Sequence, residues 1–196
     1  MLDLDDVAAR LNQGSINPAP TRIWPTVCLT GHRPQHLSPA ARAWLPGELA
    51  RIVARLRDEN GTTTGVSGMA LGADMWWAEA VLAAGLKLWA HVPCPQQADR
   101  WSAADRRQWE RLLQQAWKVT LYGDAYSVDL FGERDEGMVK VSDAAVAVWN
   151  PAKRRTGTFK TLRFAVEHGL PVVHVNPDTL RTTMPGPQAW RQALAR

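Results

Sequence analysis

The chain has 196 residues, of which 45% are hydrophobic and 21% charged, and its formal net charge at pH 7 is +4. This length and composition are those of one ordinary globular domain, and they exclude wholesale disorder and fibrous architectures. The apolar runs fall short of the roughly 18 to 20 residues that cross a bilayer, and the acidic start MLDLDDVAARL is unlike a secretory signal, so we expect a cytoplasmic protein with no membrane contact.

Composition divides the chain into three parts. Residues 1–25 contain a predicted short helix at 3–11 and a linker rich in Pro, Gly, Asn and Ser. Residues 26–176 carry the predicted domain. Residues 177–196 are predicted to form a C-terminal extension with a short helix.

Short apolar strands alternate with helical stretches through the central part. Strands are predicted at residues 26–31, 62–68, 87–94, 118–123, 144–150 and 170–176, the last of them being the final strand. Helical stretches are predicted around residues 45–56, 102–116, 133–141 and 159–168, and residues 69–85 are predicted to be a loop that runs into a helix ended by Gly85. This alternation predicts an α/β fold, a Rossmann-like open parallel sheet of about six strands with helices on both faces.

The first loop of interest follows the first strand and contains Gly31, His32 and Arg33. Ligands of open parallel sheets bind outside the carboxyl ends of the strands. Glycine lets the backbone approach a ligand, and a planar guanidinium suits a phosphate. The alternative is that Arg33 pairs with a carboxylate on the surface.

A second glycine loop follows the second strand and leads into a helix. It contains Ser67, Gly68, Gly72 and Asp74. Backbone N–H groups of such a loop and the helix N-terminus are able to face an anion. The alternative is a tight turn in which Asp74 interacts favourably with the helix dipole.

The third loop follows the most apolar strand, which is the candidate central strand, and runs from Lys153 through Arg155, Thr156, Gly157 and Thr158. It combines cations, hydroxyl groups and unsatisfied helix N-terminal amides, the groups that bind phosphate. The alternative is a solvated basic loop in which Thr158 caps the helix.

No metal site is predicted. Cys28, His32 and His36 are evenly spaced, but they fall on a strand end and a loop, where helical spacing does not bring ligands together. No cofactor is firmly implied apart from a bound nucleotide derivative.

The motifs Thr-Gly-His-Arg-Pro, Ser-Gly-Met-Ala-Leu-Gly-Ala-Asp and the Gly-Thr turn, with Met138-Val139 and Ser142-Asp143 before the central strand, resemble the SLOG superfamily and, within it, the YpsA-like branch. The resemblance covers residues 26–176. It implies a Rossmann-like fold that binds nucleotides or their derivatives, ADP-ribose-like molecules among them.

Two relatives in that superfamily differ in function. Lonely-guy phosphoribohydrolases use a PGGxGTxxE motif with a catalytic glutamate, and here Thr161 occupies the glutamate position, which argues against that mechanism. The DNA-processing protein DprA uses a related domain to hold single-stranded DNA, within a longer chain that has further modules.

These observations favour binding or sensing of a phosphate-containing nucleotide derivative at the carboxyl edge of the sheet. Trp76 and Trp149 are candidates to border its base.

The first alternative is a hydrolase of an N-glycosidic or phosphate bond, and whether the chain is an enzyme stays open. Its candidate acid–base groups are His32, Asp74, Glu133 and Asp135.

The second alternative, single-stranded nucleic-acid binding through a basic surface, is not favoured because no nucleic-acid recognition motif accompanies the charge. Exposed apolar residues and the N-terminal helix are compatible with a homodimer.

Overall fold

The computed structural model describes residues 22–195 of the chain. The predicted helix at 3–11 and the linker that follows it lie outside the described residues. At the start of the described part, the side-chain amide of Asn60 donates a hydrogen bond of 2.8 Å to the carbonyl oxygen of Arg22. The chain therefore enters the fold beside the end of the first helix.

One seven-stranded sheet forms the centre of the fold. Its strands are β1 (Thr26–Gly31), β2 (Thr64–Ser67), β3 (Lys87–Val92), β4 (Lys118–Leu121), β5 (Ala144–Val148), β6 (Val172–Asn176) and β7 (Arg181–Thr183). Their order is β4-β3-β2-β1-β5-β6-β7, with β1 to β6 parallel and β7 antiparallel to β6. The order reverses between β1 and β5, so a switch-point crevice lies outside their carboxyl ends.

Helices cover both faces of this sheet. They are α1 (Pro39–Asn60), α2 (Ala73–Ala83), α3 (Ala103–Gln115), α4 (Asp129–Lys140), α5 (Gly157–Glu167) and α6 (Pro187–Ala195). Alternate residues of β1 point to opposite sides: Val27 and Leu29 join the core beneath α1 to α3, and Cys28 joins the core beneath α4 and α5. The predicted α/β fold with a mostly parallel sheet is confirmed. None of the helices in residues 22–195 is long and apolar enough to cross a membrane.

Helix α1 shows how sequence pattern and packing agree. Its predicted apolar face is buried in the core: Leu45, Leu49, Ile52, Val53 and Leu56. The helix begins after Ser38, whose hydroxyl accepts a hydrogen bond of 3.1 Å from the backbone N–H of Ala41. Pro46 lies inside the helix rather than at its start.

The strand predicted at residues 170–176 is confirmed as β6, Val172–Asn176, but it is not the final strand. Strand β7 adds three polar residues, Arg-Thr-Thr, antiparallel to β6. A strand so short has no hydrophobic alternation to detect. It is held instead by pairing and by the Thr182 hydroxyl, which donates to the Glu48 carboxylate on α1.

The opposite edge of the sheet exposes apolar side chains. Trp117, Val119 and Leu121, on or beside β4, are each about half exposed. Such an edge is compatible with the homodimer predicted from the sequence, which stays a prediction.

Candidate functional site

A pocket of about 350 Å³ occupies the switch-point crevice. We call it the switch-point pocket. Residues from the first and third predicted loops, from the start of α2 and from α4 line it: Thr30, Gly31, His32, Arg33, Gln35, His36, Ala70, Asp74, Phe131, Arg134, Asp135, Arg155, Thr156, Gly157 and Thr158. The fold thus brings together Gly31, His32, Arg33, Asp74, Arg155, Thr156, Gly157 and Thr158. Their contact with a ligand stays a prediction.

His32 joins the first and third loops. Its side chain is 1% exposed, and Nε2 accepts a hydrogen bond of 3.0 Å from the backbone N–H of Asn150. Burial, with smaller effects from His36 and Lys153, lowers the pKa of His32 to about 4. The imidazole is therefore neutral near pH 7, and because Nε2 accepts, its proton lies on Nδ1. This geometry makes His32 a residue that positions the loops.

Two arginines that line the pocket have guanidinium groups outside the ion pairs of residues 22–195. Arg33 and Arg155 are exposed, and neither forms an ion pair within the part of the chain that the structure describes. The neighbouring cations are already engaged: Lys153 Nζ donates to the carbonyl of His36 at 3.1 Å, and Arg154 Nη2 donates to that of Ala193 at 2.5 Å. Arg33 and Arg155 are therefore available for an anionic ligand.

The N-terminus of α5 opens into the same pocket. Thr156, not Thr158, is the N-cap, and its hydroxyl accepts from the N–H of Phe159 at 3.2 Å. The N–H groups of Gly157 and Thr158 precede the first intrahelical bond and have no acceptor among residues 22–195. A helix N-terminus of this kind favours negative charge.

Ser67, Gly68 and Gly72 do not lie on the pocket surface. The Ser67 hydroxyl accepts from the N–H of Met69 at 3.1 Å and donates to the carbonyl of Asp74 at 2.8 Å. Gly72 has φ +89°, and a Cβ there would lie 2.7 Å from Cδ of Pro34. These residues shape the second loop and let it pack closely against the first.

Arg134, on α4, is the most connected residue of the site and was missed in the sequence. Its side chain is 7% exposed, and Nη1 donates to the carbonyl oxygen of Gly68. The guanidinium also lies 3.7 Å from Asp74 Oδ2 and 2.8 Å from Asp135 Oδ1. Arg134 therefore ties α4 to the second loop beneath the pocket.

A signal for Arg134 is present in the sequence. It is the single cation in the acidic stretch Gly-Glu-Arg-Asp-Glu-Gly, and it precedes the buried Met138 by four residues. Residues at that spacing share a helix face, so its burial was predictable.

Asp74 is buried at the same place, 6% exposed. Burial raises its pKa to about 7, against the opposing effect of the Arg134 guanidinium. The side chain therefore exchanges its proton near neutral pH, on the wall of the switch-point pocket.

The candidate acid–base residues are not all together. His32, Asp74 and Asp135 line the switch-point pocket, whereas Glu133 is exposed in the groove between α4 and α5. Thr161 is buried and its hydroxyl donates to Asp135 Oδ2 at 2.8 Å. Thr161 itself offers no carboxylate for the glutamate-dependent mechanism.

A second depression, the aromatic groove, adjoins the switch-point pocket. It has a volume of about 520 Å³ and is lined by Arg33, Gln35, Leu71, Gln96, Gln97, Asp99, Arg100, Trp101, Tyr126 and Phe131. Neither tryptophan predicted to border a base lines the switch-point pocket or this groove. Trp149 is buried, with its indole N–H donating to the carbonyl of Lys153, and Trp76 packs against the core beneath α1 to α3.

The fold and the site together define a Rossmann-like protein of the SLOG type with a pocket at the switch point. The model of the family described as DNA recombination-mediator protein A matches residues 47–196, and the chain belongs to this family. A comparison with curated protein sequences finds no match. Membership of the YpsA-like branch stays a prediction.

Solved structures share the fold. DNA processing protein A (DprA) from Streptococcus pneumoniae has a TM-score of 0.59 at 20% identity, over 78% of this chain and 50% of that one. The chain thus spans about half the length of that protein. DprA from Helicobacter pylori, described for its single-stranded DNA binding mode, has a TM-score of 0.59 at 20% identity, over 85% of this chain and 71% of that one. The molybdenum cofactor binding protein from Rippkaea orientalis has a TM-score of 0.55 at 17% identity, over 87% of this chain and 84% of that one.

Proposed function

We propose that the chain binds a phosphate-containing, nucleotide-derived ligand, with the phosphate in the switch-point pocket. The observation that carries this proposal is the convergence of Arg33 and Arg155 on the N-terminus of α5. Both guanidinium groups lack an ion-pair partner among residues 22–195, and both line the pocket. Paired arginines beside free helix amides supply the donors that a phosphate accepts.

Contacts within the protein organise the wall of this pocket. Asp74 and Asp135 line it together with the arginines and share the buried Arg134 guanidinium. This arrangement holds the loops in place before a ligand arrives, so the donors need little reorganisation.

Calorimetric titration tests the proposal directly. Nucleoside monophosphates, cyclic nucleotides, NAD and ADP-ribose are each added to the full chain at submillimolar concentration. Native mass spectrometry of the freshly purified protein identifies any nucleotide that remains bound. Saturable binding of at least one of these compounds is expected, and heat of dilution alone for all of them would refute the proposal in this form.

The second candidate function is binding of single-stranded nucleic acid. The aromatic groove, the switch-point pocket and the groove between α4 and α5 all include Phe131, so the three depressions meet at this residue, and together we call them the track. Membership of the DNA recombination-mediator protein A family and the single-stranded DNA binding described for the H. pylori protein support it.

Salt dependence separates this candidate from small-molecule binding. If a strand lies along the track, log Kobs for an oligothymidylate falls with log salt by about 0.7 per phosphate contacted. An oligothymidylate affinity that does not change with salt, or the absence of binding at low salt, would refute single-stranded nucleic-acid binding.

A further inference from the structure

The aromatic groove is too closely joined to the switch-point pocket to be a separate site. Arg33, Gln35 and Phe131 line both depressions. If the phosphate of a ligand contacts Arg33, the rest of that ligand is able to pass Phe131 and enter the aromatic groove. The groove, of about 520 Å³, is the larger of the two.

The aromatic groove contains three aromatic side chains. Tyr126 is 63% exposed and meets Phe131 edge to face, with 5.7 Å between the ring centroids. Trp101, held edge to face by Trp109 at 6.3 Å, lines the same groove. Exposed aromatic rings beside a phosphate site are the groups on which nucleobases stack.

A buried polar side chain also points to a ligand with hydrogen-bonding edges. Gln97 lines the groove, is 8% exposed, and donates through Nε2 to the carbonyl of Gly68 at 3.0 Å. Within residues 22–195, Gln97 Oε1 has no hydrogen-bond partner. This oxygen is buried beside the groove, and a planar ring that carries N–H groups is the kind of ligand that satisfies such an acceptor once the side chain turns toward the groove.

We infer that the aromatic groove is the base subsite: a nucleoside 5′-phosphate unit stacks its base on the Tyr126 ring, beside Phe131, while its phosphate occupies the switch-point pocket. This inference rests on the proposed function, because it assigns the remainder of the same ligand. It makes the base, and not only the phosphate, part of what the protein recognises.

The test compares two ligands that differ by the base alone, AMP and ribose 5-phosphate. Calorimetric dissociation constants are measured for the wild type, Tyr126→Ala, Tyr126→Phe and Trp117→Ala. Tyr126 lies in an exposed loop, so its truncation leaves the core intact. Trp117 is an exposed aromatic residue outside the groove and serves as the matched control.

The wild type is expected to bind AMP at least fivefold more tightly than ribose 5-phosphate, since stacking on one aromatic side chain is worth about 1–3 kcal/mol, or roughly 5- to 150-fold. In Tyr126→Ala this affinity ratio is expected to fall most of the way to one, because the affinity for AMP decreases while the affinity for ribose 5-phosphate stays unchanged. Tyr126→Phe and Trp117→Ala should keep the ratio.

Equal affinity of the wild type for the two ligands would overturn the base subsite and leave the phosphate pocket standing. A ratio that survives in Tyr126→Ala would also overturn it. Failure of both ligands to bind would overturn the base subsite for a nucleoside 5′-phosphate, whereas the proposed function fails only if every compound of the calorimetric panel gives heat of dilution alone.

Discussion

The Arg134 guanidinium donates a hydrogen bond to the carbonyl oxygen of Gly68, joining residues 66 positions apart in the sequence. The contact exists because position 68 has no side chain: a Cβ there would lie 1.7 Å from Nη1 of Arg134 and 2.9 Å from Oδ2 of Asp74. The glycine expected to approach a ligand instead makes room for a buried cation. That cation anchors α4 beneath the switch-point pocket.

Gly68→Ala is expected to destabilise the fold, because the buried guanidinium and carboxylate would have to move. Overpacking of this kind costs about 1–3 kcal/mol in the free energy of unfolding. Urea denaturation at pH 7 measures the change. Gly47→Ala is the matched control: no atom lies within 4 Å of its Cβ, and the substitution sits inside a helix. The free energy of unfolding of this control is expected to rise by about 0.5–1 kcal/mol. A Gly68→Ala protein as stable as the wild type would show that Arg134 is not confined as described.

Asp74→Asn is expected to change how stability depends on pH. Because burial raises the Asp74 pKa from 3.8 to about 7, the folded state binds more protons than the unfolded state between these values. Ionisation of Asp74 therefore lowers the free energy of unfolding as pH rises through this window. The stability of Asp74→Asn relative to the wild type should increase from pH 5 to pH 8, by about 1–3 kcal/mol. Urea midpoints at several pH values give the difference, and a difference independent of pH would contradict the assignment.

The His32 imidazole is expected to remain neutral at pH values well below those at which histidine usually becomes protonated. Burial lowers its pKa from 6.5 to about 4, so the unfolded state binds the extra proton first and stability is lost as pH falls from 6.5 toward 4. Two-dimensional ¹⁵N NMR of the imidazole should show protonated Nδ1 and unprotonated Nε2 from pH 5.5 to 8. A His32 resonance titrating near pH 6.5 would show that its bond to the Asn150 N–H is not maintained.

The strands β1 to β6 and the helices that alternate with them were predictable because they have strong local patterns. Strand β5 is a continuous apolar run buried in full, and α3 lies within the helical stretch predicted at 102–116, with the Ser102 hydroxyl accepting a hydrogen bond from the N–H of Asp105. The three loops met at one edge because parallel strands align their carboxyl ends.

Other features depend on contacts that are distant in the sequence. The burial of Arg134 is local enough to predict, but its bond to Gly68 is set by how α4 crosses the sheet. The short strand β7 is positioned by its pairing with β6 and by the hydrogen bond from Thr182 to Glu48, and no local sequence pattern indicates either contact. The aromatic groove is assembled from the loops after β1, β2, β3 and β4 and from the start of α4, so neither Trp101 nor Tyr126 is distinguished in the sequence from other aromatic residues.

The measurement that tests the central claim most directly is calorimetric titration of AMP into the double variant Arg33→Gln/Arg155→Gln. Both side chains are exposed, so the thermal midpoint should stay that of the wild type while affinity falls at least tenfold, since hydrogen bonds to charged groups contribute about 1.5–3 kcal/mol each. Arg107→Gln, an exposed arginine on α3 away from the pocket, should bind as the wild type does. Unchanged AMP affinity in the double variant would show that the phosphate does not lie in the switch-point pocket.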